Sequence, residues 1–337
     1  MITRMLNSFQ IYHAELQSRG RAMFTRGGYL WRCWLLLLIA GATSCSNPGD
    51  SRRRSDGQEK AIRVGVSFQE LDNPYFVVMK ESLDVATRSI GAELYIADAR
   101  HDVTKQINDI EDLIQKGIDI LLVNPTDSVG IATAVRSAKQ AGVVVVALDA
   151  QADGPIDCFV GSKNFDAGYQ AGEELSRLLN GRGNVAILDG IPVVPILERV
   201  RGFKEAIAKS PGIEIVDMQN GKQERSTALS VTENIIQSHP DLDGLFSVND
   251  GGALGALSAI EASGKEIKLV SVDGLAEVVS SILKGGPFRA TVAQYPRDQA
   301  RVALGIALAK HWGANVPKII PMEVKLLTAE NAQGFSW

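Results

Sequence analysis

From Ala61 onward, short apolar runs alternate with longer stretches in which apolar residues return every three or four positions. The runs at 63–66, 93–97, 120–124, 143–148, 184–188, 214–218, 244–248, 268–272 and 290–293 predict strands. Several, such as VVVVAL at 143–148, are continuous rather than alternating. A strand apolar on both faces belongs in a parallel sheet covered by helices on both sides. Between the runs, Val78, Leu83, Val85 and Ala86, and then Ile107, Ile110, Leu113 and Ile114, recur at helical spacing. Asn73 before Pro74 predicts an N-cap with proline at the first helical position, and Gly91, Gly117 and Gly142 stand where left-handed helix ends are expected. The chain therefore reads as α/β, a series of βα units with no period regular enough for a solenoid.

The rhythm breaks twice. At 157–162 an extended CFVG segment follows a strand with no helix between, and at 294–297 Tyr295 and Pro296 interrupt before a long helix that ends near Trp312. These are natural crossings between two lobes, expected as 61–162 plus 295–320 and 163–294 plus 321–337. Lobes joined by a few loop residues can hinge and close on something bound between them.

The start of the chain has a different character. An apolar core at 34–42 follows Arg21, Arg26 and Arg32 and is far shorter than the roughly 20 residues of a membrane-spanning helix, so it predicts an export signal. Ala42, Thr43 and Ser44 then lead into Cys45. This ending resembles a bacterial lipobox, which implies lipid on Cys45 and a protein held to the membrane on the periplasmic or extracellular side of the cell envelope. Translation from Met23 instead of Met1 leaves a signal of ordinary length. The expected signal peptide covers 1–45. Residues 46–60 (SNPGDSRRRSDGQEK) hold almost no apolar side chains and predict a flexible tether.

Charge narrows the partners. The chain has 35 basic and 39 acidic side chains, and residues 1–45 contain five arginines and one glutamate, so the exported part carries a net −8. That balance argues against nucleic acid, which needs a positive footprint. Beyond Cys33 and Cys45 only Cys158 is left, so no internal disulfide forms and the core must hold the fold. His101, His239 and His311 are far apart, with no second ligand at helical or turn spacing, and no metal site is expected from them. Gly181, Gly183 and Ala186 give a G-x-G-x-x-A match, but it leaves a helix and enters a strand, the reverse of a dinucleotide site. No cofactor is expected.

In open parallel sheets ligands sit outside the carboxyl ends of the strands. There the chain places Asn73, Tyr75 and Phe76 after the first strand, Asn124 after the third and Asp149 after the fourth. Asn249, Asp273 and Gln294 follow later strands, and Arg199 lies in the helix after Gly190. Each alone reads as a helix cap or turn residue. Together they combine acceptors, amides, one guanidinium and aromatic faces, the mix that hydroxyls acting as both donors and acceptors require.

The segments LDNPYF (71–76), ILLVNPTDS (120–128), VVALDAQA (145–152), ERVRGF (198–203), FSVNDGGALGA (246–256), VSVDG (270–274) and ATVAQYP (290–296) resemble the periplasmic sugar-binding proteins of the ribose-binding type. That family shares its core with lactose-repressor-like regulators. The resemblance implies two doubly wound parallel-sheet lobes joined by a multi-strand hinge, the type I periplasmic binding protein fold. It implies a sugar or polyol held by Asn73, Tyr75, Phe76 and Asp149 from the first lobe and by Arg199, Asn249, Asp273 and Gln294 from the second lobe and hinge. Gln69, Ala150 and Gln223 are further candidate positions. At two of these the chain departs from the ribose pattern, with Ala150 in place of an arginine and Gln223 in place of an aromatic residue. Another pentose, a hexose or a polyol is as compatible with those residues as ribose.

The resemblance further implies a monomer that delivers its ligand to an ABC transporter permease. One alternative is a receptor lipoprotein that presents its closed form to a membrane sensor kinase. A more distant one is a carbohydrate-active enzyme using the carboxylates of Asp149 and Asp273, although no nucleophile, metal or cofactor cradle accompanies them. A DNA-binding regulator would carry a basic helix-turn-helix segment where this chain has its export signal. Replacing Cys45 with alanine is expected to leave unlipidated protein in the soluble fraction, and continued metabolic labelling with palmitate would contradict the lipobox reading.

Overall fold

The computed structural model describes residues 60–337. The expected export signal, Cys45 and nearly all of the tether lie outside the described residues. Gln58–Trp337 forms one compact unit that contains both sheets and every apolar cluster described below.

The first lobe is built from β1 (Arg63–Phe68), α1 (Pro74–Ser89), β2 (Glu93–Asp98), α2 (Val103–Gln115), β3 (Ile120–Val123), α3 (Ala132–Gln140), β4 (Val144–Leu148) and β5 (Cys158–Ser162). The chain then enters the second lobe as α4 (Asn164–Leu178), β6 (Arg182–Asp189), α5 (Val194–Ile207), β7 (Gly212–Asn220), α6 (Arg225–Ser238), β8 (Leu242–Ser247), α7 (Asp250–Ser263), β9 (Lys268–Asp273), α8 (Ala276–Lys284) and β10 (Phe288–Ala293). It returns as α9 (Pro296–His311) and β11 (Ile319–Met322), and crosses once more into β12 (Lys325–Thr328). The strand orders are β11-β5-β4-β3-β1-β2 and β12-β10-β9-β8-β6-β7. All pairs are parallel except β10 with β12. The mainly parallel sheets are those expected from the apolar runs, and two doubly wound lobes joined by several chain crossings are the fold that the resemblance implies.

The continuous runs are explained by packing on both faces of each sheet. In the first lobe Ile120 and Leu122 of β3, with Val144, Val146 and Leu148 of β4, face the cluster under α1 and α9. Leu121, Val123, Val145 and Ala147 face the cluster under α2 and α3. In the second lobe Ala186 and Leu188 face one cluster, and Val185 and Ile187 the other. Period-two alternation with apolar residues on both sides leaves no polar register.

Three strands depart from the sequence reading. The extended segment expected at 157–162 is a full strand, β5, and β11 and β12 were not expected at all. β11 reaches two residues past the expected boundary at 320 because Pro321 and Met322 pair with Gly161 and Ser162. The expected helix caps are in place: Asn73 Oδ1 accepts from the Tyr75 N–H, and Gly91, Gly117 and Gly142 take φ of +68°, +72° and +81°.

In the second lobe α4 and α5 touch backbone to backbone. A side-chain carbon on Gly168 would collide with the Arg199 carbonyl oxygen, and one on Gly202 with the Phe165 carbonyl oxygen. This contact fixes the height of Arg199 over its sheet. Gly168→Ala is therefore expected to destabilise the protein by roughly 1–3 kcal/mol, seen as a lower urea midpoint at unchanged slope. An unaltered midpoint would show that the helices can separate freely.

Candidate ligand-binding site

In the first lobe, β1 delivers Gln69 directly past its last residue, and the Asn73 cap holds α1 so that Tyr75 and Phe76 fall in its first turn. The Tyr75 hydroxyl lies 3.0 Å from Asp149 Oδ1 and 3.3 Å from Gln294 Oε1, so its one proton serves one acceptor at a time. It accepts in turn from Gln299 Nε2 at 2.9 Å, and the same amide nitrogen donates to Ser162 Oγ at 2.7 Å. Asp149 follows β4 with φ +64°, a left-handed conformation that costs a non-glycine residue on the order of 1 kcal/mol or more. It turns the carboxylate out of the strand and toward Tyr75. Asn124, just past β3, supports it from below through Nδ2 at 3.4 Å. Burial pushes the Asp149 carboxyl up to about 6 despite the Arg199 charge.

From the second lobe comes Arg199, 4% exposed. Its Nε donates to Asn164 Oδ1 at 2.8 Å, and Nη1 donates to the Val248 carbonyl at 2.8 Å and lies 3.3 Å from Asp273 Oδ1. Its Nη2 makes no hydrogen bond among the described residues, which leaves two donors on a rigidly held fork. Asp273 ends β9 at φ +141°. Its Oδ1 accepts from Gln294 Nε2 at 2.7 Å and its Oδ2 from the Asp250 N–H at 3.3 Å. Behind it, the Asp250 carboxylate accepts from the Gly274 and Leu275 N–H groups at 2.8 and 2.7 Å, from Thr291 Oγ1 at 2.8 Å and from the Ser271 hydroxyl. That set of donors pins the turn after β9. Burial, and then the neighbouring Asp273, raise the Asp250 pKa.

Asn249 caps α7, with Oδ1 accepting from the Gly252 N–H at 3.0 Å and Nδ2 donating to the Gln223 carbonyl at 3.3 Å. Gln223, at φ +62°, uses Oε1 to hold the Ile191 N–H at 3.2 Å.

These groups converge. All eleven positions that the resemblance implies, including Gln69, Ala150 and Gln223, line one narrow cavity between the lobes. Tyr75, Asp149, Arg199, Asn249, Asp273 and Gln294 are all buried. Buried polar side chains from both lobes facing one space describe a closed arrangement. Gln69 Oε1 is buried with no hydrogen-bond partner among the described residues, so a donor entering the cavity would satisfy it.

The sequence reading missed two classes of residue. Val193, Pro195 and Ile196 form an apolar wall at the start of α5, and a search for polar residues after strands passes over them. Asn164 and Gln299 orient Arg199 and Tyr75 from outside the lining. Their signal is weak, a polar side chain in the first turn of a helix that follows each crossing. His101, expected to stand alone, is brought by the loops after β1 and β2 to Glu70, with Nε2 2.8 Å from a carboxylate oxygen, and near Asp72. The hydrogen bond to Glu70 raises the His101 pKa.

Comparison with known proteins places this geometry in context. Residues 64–312 match the family described as periplasmic binding protein domain. The ribose import binding protein RbsB of Bacillus subtilis is 37% identical over 87% of this chain and 96% of its own length. Among solved structures, an ABC transporter solute binding protein from Mycobacterium smegmatis with bound glycerol is 31% identical, with a TM-score of 0.78 over 81% of this chain and 96% of that one. The Caulobacter myo-inositol binding protein bound to myo-inositol is 30% identical, with a TM-score of 0.77 over 82% of this chain and 96% of that one.

Asp149 has an ordinary carboxyl value of 3.8 in the unfolded chain and about 6 when folded. Between those values the folded state holds a proton that the unfolded chain has released, so the stability tied to this group is full below about pH 4 and is lost as pH rises through about 6. Asp149→Asn is expected to remove a component of this slope on the order of 2–3 kcal/mol, measured by urea unfolding from pH 4 to 7. An identical slope in the variant would contradict the assignment.

Proposed function

The chain belongs to the periplasmic binding protein family, and from that premise we propose that it captures a sugar or polyol between its lobes and delivers it to an ABC transporter. The family's work is binding and import, so the chain is not an enzyme. The observation that carries the ligand class is the cavity itself, where Asp149 and Asp273 offer carboxylate acceptors and Arg199 offers free donors. With both carboxylates ionised, two negative charges face one positive one, which disfavours anionic ligands and suits hydroxyl groups. Tyr75, Phe76 and the Val193–Ile196 wall supply apolar faces for carbon-bound hydrogens.

The resemblance to relatives that bind ribose, glycerol and myo-inositol supports this class. Ala150 contributes no side-chain donor beside Asp149, so that end of the cavity favours a ligand with fewer acceptors to satisfy. A polyol or cyclic polyol fits that end as well as ribose does. Closure is a population shift: the ligand favours the closed lobes because it contacts both at once. Cys45 would tether this monomeric receptor to the membrane on the extracytoplasmic side, within reach of the transporter.

Isothermal titration of the Gln58–Trp337 unit against pentoses, hexoses, linear polyols and inositols tests the reading. At least one is expected to bind with 1:1 stoichiometry. Asp273→Ala and Arg199→Ala are each expected to weaken it by about 2 kcal/mol or more, roughly thirtyfold. No binder in the panel, or intact binding in both variants, would overturn the assignment.

A further inference from the structure

Trp337 reaches the ligand cavity from behind. Its indole N–H donates to the Asp273 carbonyl at 3.1 Å, alongside the Gln294 N–H at 2.9 Å. Its ring meets Tyr75 edge to face, with centroids 5.5 Å apart and planes at 85°. Tyr75 belongs to the first lobe and Asp273 to the second. The same side chain also packs against the apolar cluster under α1 and α9 and against that of the second lobe around α7 and β9.

We propose that Trp337 is a positioning residue for the ligand, a wedge that seats fully only when the lobes are together. The proposal rests on the binding-protein reading above. One rigid indole spans the two lobes, so separating them must break the Tyr75 contact or the Asp273 hydrogen bond. Its contacts therefore belong to the closed state alone, and any ligand selective for that state inherits their free energy as affinity. The two contacts fall on residues that line the cavity. The ring edge holds Tyr75 where its hydroxyl meets Asp149, and the N–H holds the carbonyl of Asp273, whose φ of +141° needs outside support.

A tryptophan that merely filled the core would behave differently. Its removal would lower global stability and leave the affinity of the folded molecules unchanged.

Fluorescence and calorimetry on the Gln58–Trp337 unit separate the two, using the tightest ligand of the sugar and polyol panel. Its other tryptophan, Trp312, is 70% exposed and lies at the end of α9, so Trp312→Phe leaves Trp337 as the sole reporter. In that background ligand is expected to shift the Trp337 emission and protect it from acrylamide, saturating at the calorimetric Kd. Trp337→Ala is expected to weaken binding roughly tenfold or more, from the loss of one aromatic pair and one hydrogen bond. Trp337→Phe keeps the ring without the N–H and should recover part of the loss, which guards against a misfolded alanine variant. Wild-type affinity in folded Trp337→Ala, or emission and quenching unmoved by saturating ligand, would overturn the proposal. If the unsubstituted protein binds nothing in the panel, the binding-protein reading fails first and this proposal with it. A defect confined to the expected behaviour of the variants or the emission counts against Trp337 alone.

Discussion

The structure turns on three charges taken out of water in one place. Asp149, Arg199 and Asp273 are each at least nine-tenths buried, and an ion removed from water without partners costs several kcal/mol. Arg199 and Asp273 compensate each other in part, at 3.3 Å, and hydrogen bonds supply the remainder. Asn164 and the Val248 carbonyl take two donors of the guanidinium, while Gln294 and the Asp250 N–H occupy the Asp273 carboxylate. Asp149 has the Tyr75 hydroxyl and the Asn124 amide but no cation within salt-bridge reach among the described residues, and burial raises its pKa despite the Arg199 charge. In the proposed function a hydroxylated ligand would complete this set, donating to the carboxylates and accepting from Arg199.

The fold exists to bring these groups to one level. Doubly wound sheets splay their strands at the topological switch, between β1 and β3 in one lobe and between β6 and β8 in the other, and the residues just past the strand ends face the crevice. Left-handed backbone at Asp149 and Gln223, and φ +141° at Asp273, turn the chain at three of those ends. The α4–α5 contact through Gly168 and Gly202 sets Arg199 by backbone packing instead of by a flexible side chain. Three chain crossings would let each lobe remain rigid during the proposed closure while the angle between them changes.

Much of this was legible in the residues because burial on both sheet faces leaves an unbroken apolar signature, as in 143–148. Polar residues placed directly after such runs have few other reasons to recur. β11 and β12 were not legible because both are short edge strands with half-exposed residues, and Pro321 sits inside one of them. Their strand conformation comes from pairing with β5 and β10, partners distant in sequence. The apolar wall at Val193, Pro195 and Ile196 looks like an ordinary helix start until the opposite lobe is present. Trp337 and the His101 cluster share that property. Each depends on contacts between loops or lobes, which local periodicity does not encode.

The proposed function requires the two lobes to close on a bound ligand, with the charged groups brought together as they are in this structure. Small-angle X-ray scattering of the Gln58–Trp337 unit, with and without a saturating sugar or polyol ligand, tests it most directly. The liganded protein is expected to give a curve that matches this closed structure, and the free protein a larger radius of gyration. Identical curves in the two states, or a liganded form more open than the structure described, would contradict the account.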